Sequence, residues 1–139
     1  LLKIKFYGII AILSTFLNAD MIISPDELPS ISKEFLKNNF QAPIGIVQRD
    51  KHAYEVYLSD GTELEFESDG SWKEIESKVF PFDLNFLPPN LTNIIQNKFP
   101  NTKAREIERK INYYKIKLTN NIEVHIDFNG TILYTEYDD

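Results

Sequence analysis

The chain has 139 residues and a net charge of −6, with 15 Lys and Arg against 21 Asp and Glu. This acidic surplus excludes the broad basic surface on which nucleic-acid-binding proteins depend, so we expect no nucleic-acid partner. The absence of cysteine excludes disulfides, thiolate metal sites and thiol nucleophiles.

The first 19 residues have the pattern of a secretory signal peptide. Lys3 and Lys5 precede an apolar run from Phe6 to Leu17, and Ala19 is a small residue of the kind that signal peptidases require. A membrane anchor is the alternative, but the run has about a dozen residues against the roughly 20 needed to span a bilayer. We therefore predict an exported protein, periplasmic or secreted, with no stable membrane anchor after cleavage.

Residues 20–80 have the pattern of one helix followed by four strands. The helix is predicted over residues 28–40, where a Leu-Pro start precedes apolar residues at three-to-four spacing. Its apolar stripe comprises Ile31, Phe35, Leu36 and Phe40. The strand patterns cover residues 44–50, 52–58, 62–67 and 71–76. Asp60-Gly61 between the second and third patterns is a strong hairpin signal, because glycine accepts the positive φ of a tight turn.

Residues 81–139 follow the same plan. Residues 54–70 match residues 114–130 at an offset of sixty, and residues 28–40 match residues 87–99 at an offset of fifty-nine. Such self-similarity predicts a duplicated unit of about sixty residues. The connecting residues 77–86 are short and rich in aromatics, which favours a bridge packed against both units.

Alternation along the strands assigns a buried and a solvated face to each unit. The predicted core side chains are Tyr54, Val56, Leu58, Leu64 and Phe66 with their counterparts Tyr114, Ile116, Leu118, Val124 and Ile126. The predicted fold is α+β, with two tandem helix-plus-four-stranded antiparallel meanders in one compact domain. Because two sheets this small are marginal alone, we expect them to join or to pack closely, with both helices on one face.

These features together resemble the PepSY-like, beta-lactamase-inhibitor-protein-like domains of exported bacterial proteins. The Tyr-x-Val-x-Leu strand, the Asp-Gly turn and the Gly70-Ser71-Trp72 turn carry the resemblance, which spans roughly residues 26–136. It implies tandem helix-plus-four-strand repeats and no catalytic activity. By analogy with the founding members of the fold, it also implies a protein-binding or inhibitor-like role.

Glu63, Glu65 and Glu67 are the most concentrated charges in the chain. Alternate positions on one strand place them on the same face, about 7 Å apart from one to the next. They are candidates for binding a basic partner or a divalent cation, since hard cations prefer carboxylate oxygens. The alternative is a solvated strand face that keeps the sheet soluble.

Two aromatic residues are candidate contacts for a protein partner. Tyr57 lies on the solvated face, and Trp72 follows a turn, where it lies either at the sheet margin or packed beneath the connector and between the two units. Tyr134 and Tyr137 extend this possibility toward the C-terminus. Asp60, at the hairpin tip, either forms the turn or provides an acidic loop for a partner.

No pattern of catalytic, cofactor-binding or metal-ligating residues is found. His52 and His125 lack the spacing of a zinc site, and neither a nucleophile elbow nor a phosphate-binding loop is present. We therefore predict an exported, non-enzymatic binding module that contacts an unidentified protein or peptide through its open sheet face. Binding of a divalent cation or an envelope ligand by the acidic face of the first unit is the alternative.

Overall fold

A computed structural model describes residues 21–138, so the predicted signal peptide lies outside the described residues. The described chain is α+β, with two α-helices, a 3₁₀ turn and nine strands. In chain order these are β1 (Met21–Ile23), the 3₁₀ turn (Pro25–Glu27), α1 (Ser30–Asn39), β2 (Ile44–Arg49), β3 (Ala53–Leu58), β4 (Thr62–Glu67), β5 (Trp72–Ser77), α2 (Pro89–Lys98), β6 (Ala104–Arg109), β7 (Tyr113–Leu118), β8 (Ile122–Asp127) and β9 (Ile132–Tyr137).

All nine strands form one antiparallel sheet whose strand order is the chain order. The sequence left open whether two small sheets join or pack, and the structure has a single sheet because β5 pairs with β6 at Ile75 and Ile107. β1 was not predicted, because three residues are too few for alternation to be visible. It pairs with β2 and forms the first edge of the sheet.

The core lies on one face of this sheet, beneath both helices. Val56, Leu64 and Phe66 from the first half are buried with Ile116 and Ile126 from the second half. They form one continuous cluster with side chains of the helices. The predicted inward positions are therefore confirmed, and both helices lie on the same side of the sheet.

The helix stripe was predicted incorrectly at one position. Ile31 is 52% exposed, whereas the next residue, Ser32, is completely buried. The Ser32 hydroxyl donates a hydrogen bond of 2.7 Å to the carbonyl of Gly70 in the β4–β5 turn. A Cβ on Gly70 would lie 2.6 Å from the Pro29 Cβ, so the turn and the helix start are in close contact. The small polar residue Ser32 therefore faces the core where the sequence predicted that Ile31 would.

Candidate functional site

The face of the sheet opposite the helices carries a dense group of glutamates. We call seven of them, on four consecutive strands, the acidic face. They are Glu55 on β3, Glu63 and Glu65 on β4, Glu74 and Glu76 on β5, and Glu106 and Glu108 on β6. These side chains lie on the solvated side of the four strands, while the intervening Val56, Leu64, Ile75 and Ile107 enter the core.

Strand register aligns these glutamates in two rows across the sheet. In the first row Glu55 pairs with Glu65, which pairs with Glu74, which pairs with Glu108. A second row has Glu63 opposite Glu76 and Glu76 opposite Glu106. Neighbouring strands lie about 4.8 Å apart, so each row brings like charges closer together than successive glutamates along a strand.

Burial, with repulsion from neighbouring carboxylates, raises the pKa of four of these carboxyl groups. Burial, with repulsion from Glu108 and then Glu106, raises the pKa of Glu74 from 4.5 to about 7. The pKa of Glu63, of Glu65 and of Glu106 is also raised, in each case mainly by burial. Part of the acidic face is therefore protonated near neutral pH, and a bound cation would displace those protons.

Tyr57 borders an open depression in the acidic face. The depression has a volume of about 350 Å³, and its lining includes Tyr57 with Glu55, Glu63, Glu74 and Glu76. The Tyr57 hydroxyl donates a hydrogen bond of 2.7 Å to Glu55 Oε2, so the phenol is held against the carboxylates. The arrangement offers acceptor oxygens together with one aromatic ring.

The acidic face ends where the second half of the sheet begins. On β7, Lys115 lies opposite Glu108 and Lys117 lies opposite Glu106. These two lysines form a basic boundary where the glutamate rows end at β6. Beyond this boundary, the Nε2 atom of His125 lies 2.8 Å from Oε2 of Glu123, and the imidazole ring stacks on Tyr113. The solvated face is therefore acidic in the first half and mixed in the second half.

Glu67 is separate from the other predicted glutamates because it is used in an ion pair. Its carboxylate accepts a hydrogen bond of 2.7 Å from the Arg109 guanidinium. Arg109 also donates to the carbonyl of Trp72, at 2.7 Å and 3.0 Å through two nitrogens. Glu67 thus links the first half of the chain to the second.

Trp72 lies on the helix-covered side of the sheet, on the opposite side from Tyr57. Its indole stacks on Phe35 of α1 and on Tyr114 of β7, with centroid distances of 6.1 Å and 5.9 Å. Phe86 of the connector packs edge-on at 5.2 Å, and the Arg109 guanidinium lies 5.7 Å from the ring centroid. Trp72 therefore occupies the packed position between the halves that the sequence left as an alternative.

The remaining candidates are spread over the molecule. Asp60 accepts a hydrogen bond of 3.0 Å from the Thr62 backbone and so forms its own turn. His52 lies in the β2–β3 turn, and its backbone nitrogen donates to Asp50. Tyr134 and Tyr137 are 44% and 66% exposed on β9, at the far edge of the sheet.

Of the six residues predicted from sequence, the structure brings three together. Tyr57, Glu63 and Glu65 share the acidic face, whereas Glu67 and Trp72 stabilise the junction of the two halves. Sequence reasoning missed Glu74, Glu76, Glu106 and Glu108. Their alternation in "WKEIES" and "AREIER" was visible, but the β5–β6 pairing that brings them into the rows was not.

No group of three or more acidic or histidine side chains within residues 21–138 is positioned to hold a metal ion. The acidic face is thus a broad charged surface with no preformed metal site. Within the same residues, no helix is long and apolar enough to cross a membrane.

A sequence model of one known protein family matches most of the chain. The sequence model of the beta-lactamase-inhibitor-like, PepSY-like family matches residues 18–60 and 52–134. The chain belongs to the PepSY-like family. The resemblance seen in the sequence is thereby confirmed. No curated protein matches the chain.

Solved structures of similar fold come from Bacteroides. A periplasmic protein of unknown function from Bacteroides vulgatus is 29% identical, with a TM-score of 0.75, over 85% of this chain and 99% of its own. A second protein described as periplasmic, from the same species, is 24% identical, with a TM-score of 0.77, over 84% and 96% of the two chains. A Bacteroides thetaiotaomicron protein described as calcium-regulated and periplasmic is 23% identical, with a TM-score of 0.76, over 84% of this chain and 96% of its own. This PepSY-like protein is periplasmic or secreted.

Proposed function

We propose that this PepSY-like protein is an exported, non-enzymatic binding module whose acidic face captures a basic, extended segment of another protein. The observation that carries the proposal is the pair of glutamate rows across β3 to β6. Most surface charges in proteins are mixed in sign. Here seven acidic side chains lie on four adjacent strands. Glu108 is paired with Lys110 at 2.9 Å, and the group as a whole leaves a surface that selects for positive charge.

The rows destabilise the folded protein, which supports a role in binding. Like charges directly opposite each other on neighbouring strands oppose sheet formation. Four strands nevertheless carry five such pairs, among them Glu65 with Glu74 and Glu74 with Glu108. Local features that reduce stability without a structural benefit are typical of functional surfaces. A cationic partner would remove this repulsion by neutralising the carboxylates.

The spacing of the glutamates fits an extended peptide. In an extended chain, side chains at alternate positions lie about 7 Å apart on one side. Glu63 and Glu65 on β4 have this spacing, as do Glu74 and Glu76 on β5. A segment with Lys or Arg at alternate positions, laid along these strands, therefore meets one carboxylate with each basic side chain. Tyr57 lies beside this path and offers an aromatic contact.

The proposal is tested by titrating a fluorescent peptide of alternating Lys and Thr into the protein and measuring anisotropy. We expect saturable binding that weakens with salt, because the partners are charged and partly exposed. The variant Glu65→Gln/Glu76→Gln should bind about tenfold more weakly, which corresponds to about 0.7 kcal/mol per lost pair.

A matched variant controls for net charge. Glu34→Gln/Asp83→Asn removes two exposed negative charges away from the acidic face, so its affinity should stay within about twofold of the parent. Equal weakening in the two variants would show general attraction to an acidic protein. Equal affinity for a peptide of alternating Glu and Thr would likewise contradict the proposal.

Divalent-cation binding is the second candidate, and two observations favour it. Burial, and then repulsion from Glu108 and Glu106, raises the pKa of Glu74 to about 7, and the similar protein from Bacteroides thetaiotaomicron is described as calcium-regulated. If calcium binds the rows, millimolar calcium should raise the melting temperature of the parent but not that of Glu65→Gln/Glu76→Gln. An unchanged melting temperature in the parent would rule the candidate out.

We also infer that the two halves are copies of one helix-plus-four-strand unit. Each α-helix precedes four strands along the chain, and the strand registers support the inference. Tyr54 pairs with Phe66 in the first half, and Tyr114 pairs with Ile126 sixty residues later. The acidic face does not repeat, because Glu55 and Glu65 correspond to Lys115 and His125. We accordingly assign binding of a basic segment to strands β3, β4 and β5 of the first unit, together with β6, which pairs with β5.

A further inference from the structure

The outer edge of β9 is the longest open strand edge of the described sheet. Within residues 21–138 the strand order ends at β9, so no strand of this segment pairs with its outer side. β9 has six residues, with neither Lys nor Pro among them, and its Leu133 and Tyr137 are 54% and 66% exposed. Natural edge strands are usually shortened, or protected by Lys, Pro, other charges or bulges. β9 has one charged residue, Glu136, and a bulge near its start, so most of its outer edge is open to another strand.

The chain itself shows how an edge of this kind is covered. β5 corresponds to β9 at the offset of sixty, and both have the same register shift against the preceding strand. The outer side of β5 pairs with β6, and its Ile75 and Ser77 are completely buried. At the corresponding positions of β9, Thr135 and Tyr137 are exposed. In the first half of the chain, the edge that corresponds to the outer edge of β9 is therefore covered by a further antiparallel strand.

We propose that the β9 edge pairs with the β9 edge of a second copy of the same chain, so that the two sheets continue as one across a twofold axis. An antiparallel pairing of identical strands is isologous and closes at a dimer. The opposite edge is a poorer partner, because β1 has three residues within the described part of the chain.

Charge excludes one register of this pairing, and apolar contact favours another. A twofold axis perpendicular to the sheet keeps core faces together, which requires a residue of β9 to lie opposite its own copy. Centring the axis on Glu136 would oppose two carboxylates and is disfavoured. Centring it on Thr135 places two threonines together and sets Glu136 opposite Tyr134 of the second copy. The Tyr134 hydroxyl donates a hydrogen bond to Glu136 of its own chain, so the pairing brings the two Tyr134–Glu136 pairs together without opposing two carboxylates. The same centring also sets Leu133 opposite Tyr137 of the second copy, so that exposed apolar side chains cover each other.

The strength of the dimer follows from its small contact. One six-residue edge buries less than the roughly 1,200–2,000 Å² of a standard stable interface. We therefore expect a monomer–dimer equilibrium in the micromolar range or weaker, visible in sedimentation equilibrium as a mass that increases with concentration. The variant Leu133→Lys/Tyr137→Lys should weaken the dimer at least about tenfold, because lysine blocks edge pairing. Val79→Lys/Ile111→Lys is the matched control, since it replaces two exposed apolar residues away from β9 and should leave the equilibrium unchanged.

Cysteine cross-linking tests the register, because the chain has no cysteine of its own. Opposed residues in an antiparallel pair have Cα atoms about 4.5–5.5 Å apart, which is within the range of a disulfide. Thr135→Cys should therefore form a disulfide-linked dimer at least about tenfold faster than Ile111→Cys, because pairing raises the local thiol concentration. Equal rates for the two variants, or a mass that stays monomeric at every concentration, would overturn the proposal. Preferential cross-linking between Thr135→Cys and Ile22→Cys in a mixture would overturn it in favour of head-to-tail assembly.

Discussion

Replacing Trp72 with alanine is expected to destabilise the protein by about 3 kcal/mol, the lower end of the range for removing a core Trp, because the indole is partly buried. The indole contacts the first helix, the connector and β7 of the second half through Phe35, Phe86 and Tyr114. Its loss leaves a cavity at the junction and removes the cation–π contact with Arg109. Urea unfolding at neutral pH measures the change in the free energy of unfolding.

Two controls separate packing at the junction from a general effect of losing an aromatic ring. Trp72→Phe keeps a ring in the stack and should cost about 1 kcal/mol. Phe80→Ala removes a ring that is 58% exposed and should change stability by less than about 0.5 kcal/mol. If Trp72→Ala unfolded at the urea concentration of the parent, the indole would have no structural role at the junction.

Replacing Glu74 with glutamine is expected to stabilise the protein at pH 8. Because burial and the neighbouring glutamates raise the pKa of Glu74 to about 7, the folded state favours the protonated carboxyl. That preference contributes stability below the unfolded value of 4.5, and the contribution is lost as the pH rises through about 7. One pKa unit corresponds to about 1.4 kcal/mol, and solvent screening of this half-buried group reduces the total, so we expect a gain of about 1–2 kcal/mol.

The free energy of unfolding should depend on pH differently in the parent and in Glu74→Gln. The parent should lose stability between pH 5 and pH 8, whereas Glu74→Gln should lose less and match the parent near pH 5. The raised pKa of Glu63, of Glu65 and of Glu106 adds a slope of the same sign, so the variant profile is flatter but not flat. Glu34→Gln, on the exposed surface of α1, should run parallel to the parent. A parent that gained stability from pH 5 to pH 8 would contradict the assigned repulsion.

Alternation in the sequence was sufficient to assign the two faces of the strands. It predicted that Tyr57, Glu63 and Glu65 share the solvated side, because side chains in a strand alternate regardless of which strand lies next to it. It did not predict that Glu74 lies opposite Glu108. Hairpin turns set the register of the three pairs between β3, β4 and β5. The two pairs between β5 and β6 have no such turn, because the connector and α2 separate these strands, and their pairing depends on the whole core.

Local irregularities account for the residues that were placed differently. A register shift lies between Glu65 and Phe66, where Glu65 pairs with Glu74 and Phe66 pairs with Trp72. This shift turns Trp72 toward the core, and no sequence pattern marks it. Ser32 is buried in place of Ile31 because the Gly70 turn approaches the helix too closely for a larger side chain. The first outcome is a local irregularity of one hairpin, whereas the second depends on contact between segments that are far apart in the chain.

The pH dependence of peptide binding tests the central claim most directly, namely that the glutamate rows are the binding surface. The measurement is the affinity for the alternating Lys and Thr peptide from pH 5 to pH 8 at constant salt, with the parent and with Glu74→Gln. Protonation of the rows removes the charges that attract the peptide, so the parent should bind at pH 8 and lose affinity as the pH falls through about 7. Glu74→Gln should bind more weakly at pH 8 and change less with pH. An affinity that is the same at pH 5 and pH 8 would contradict the account.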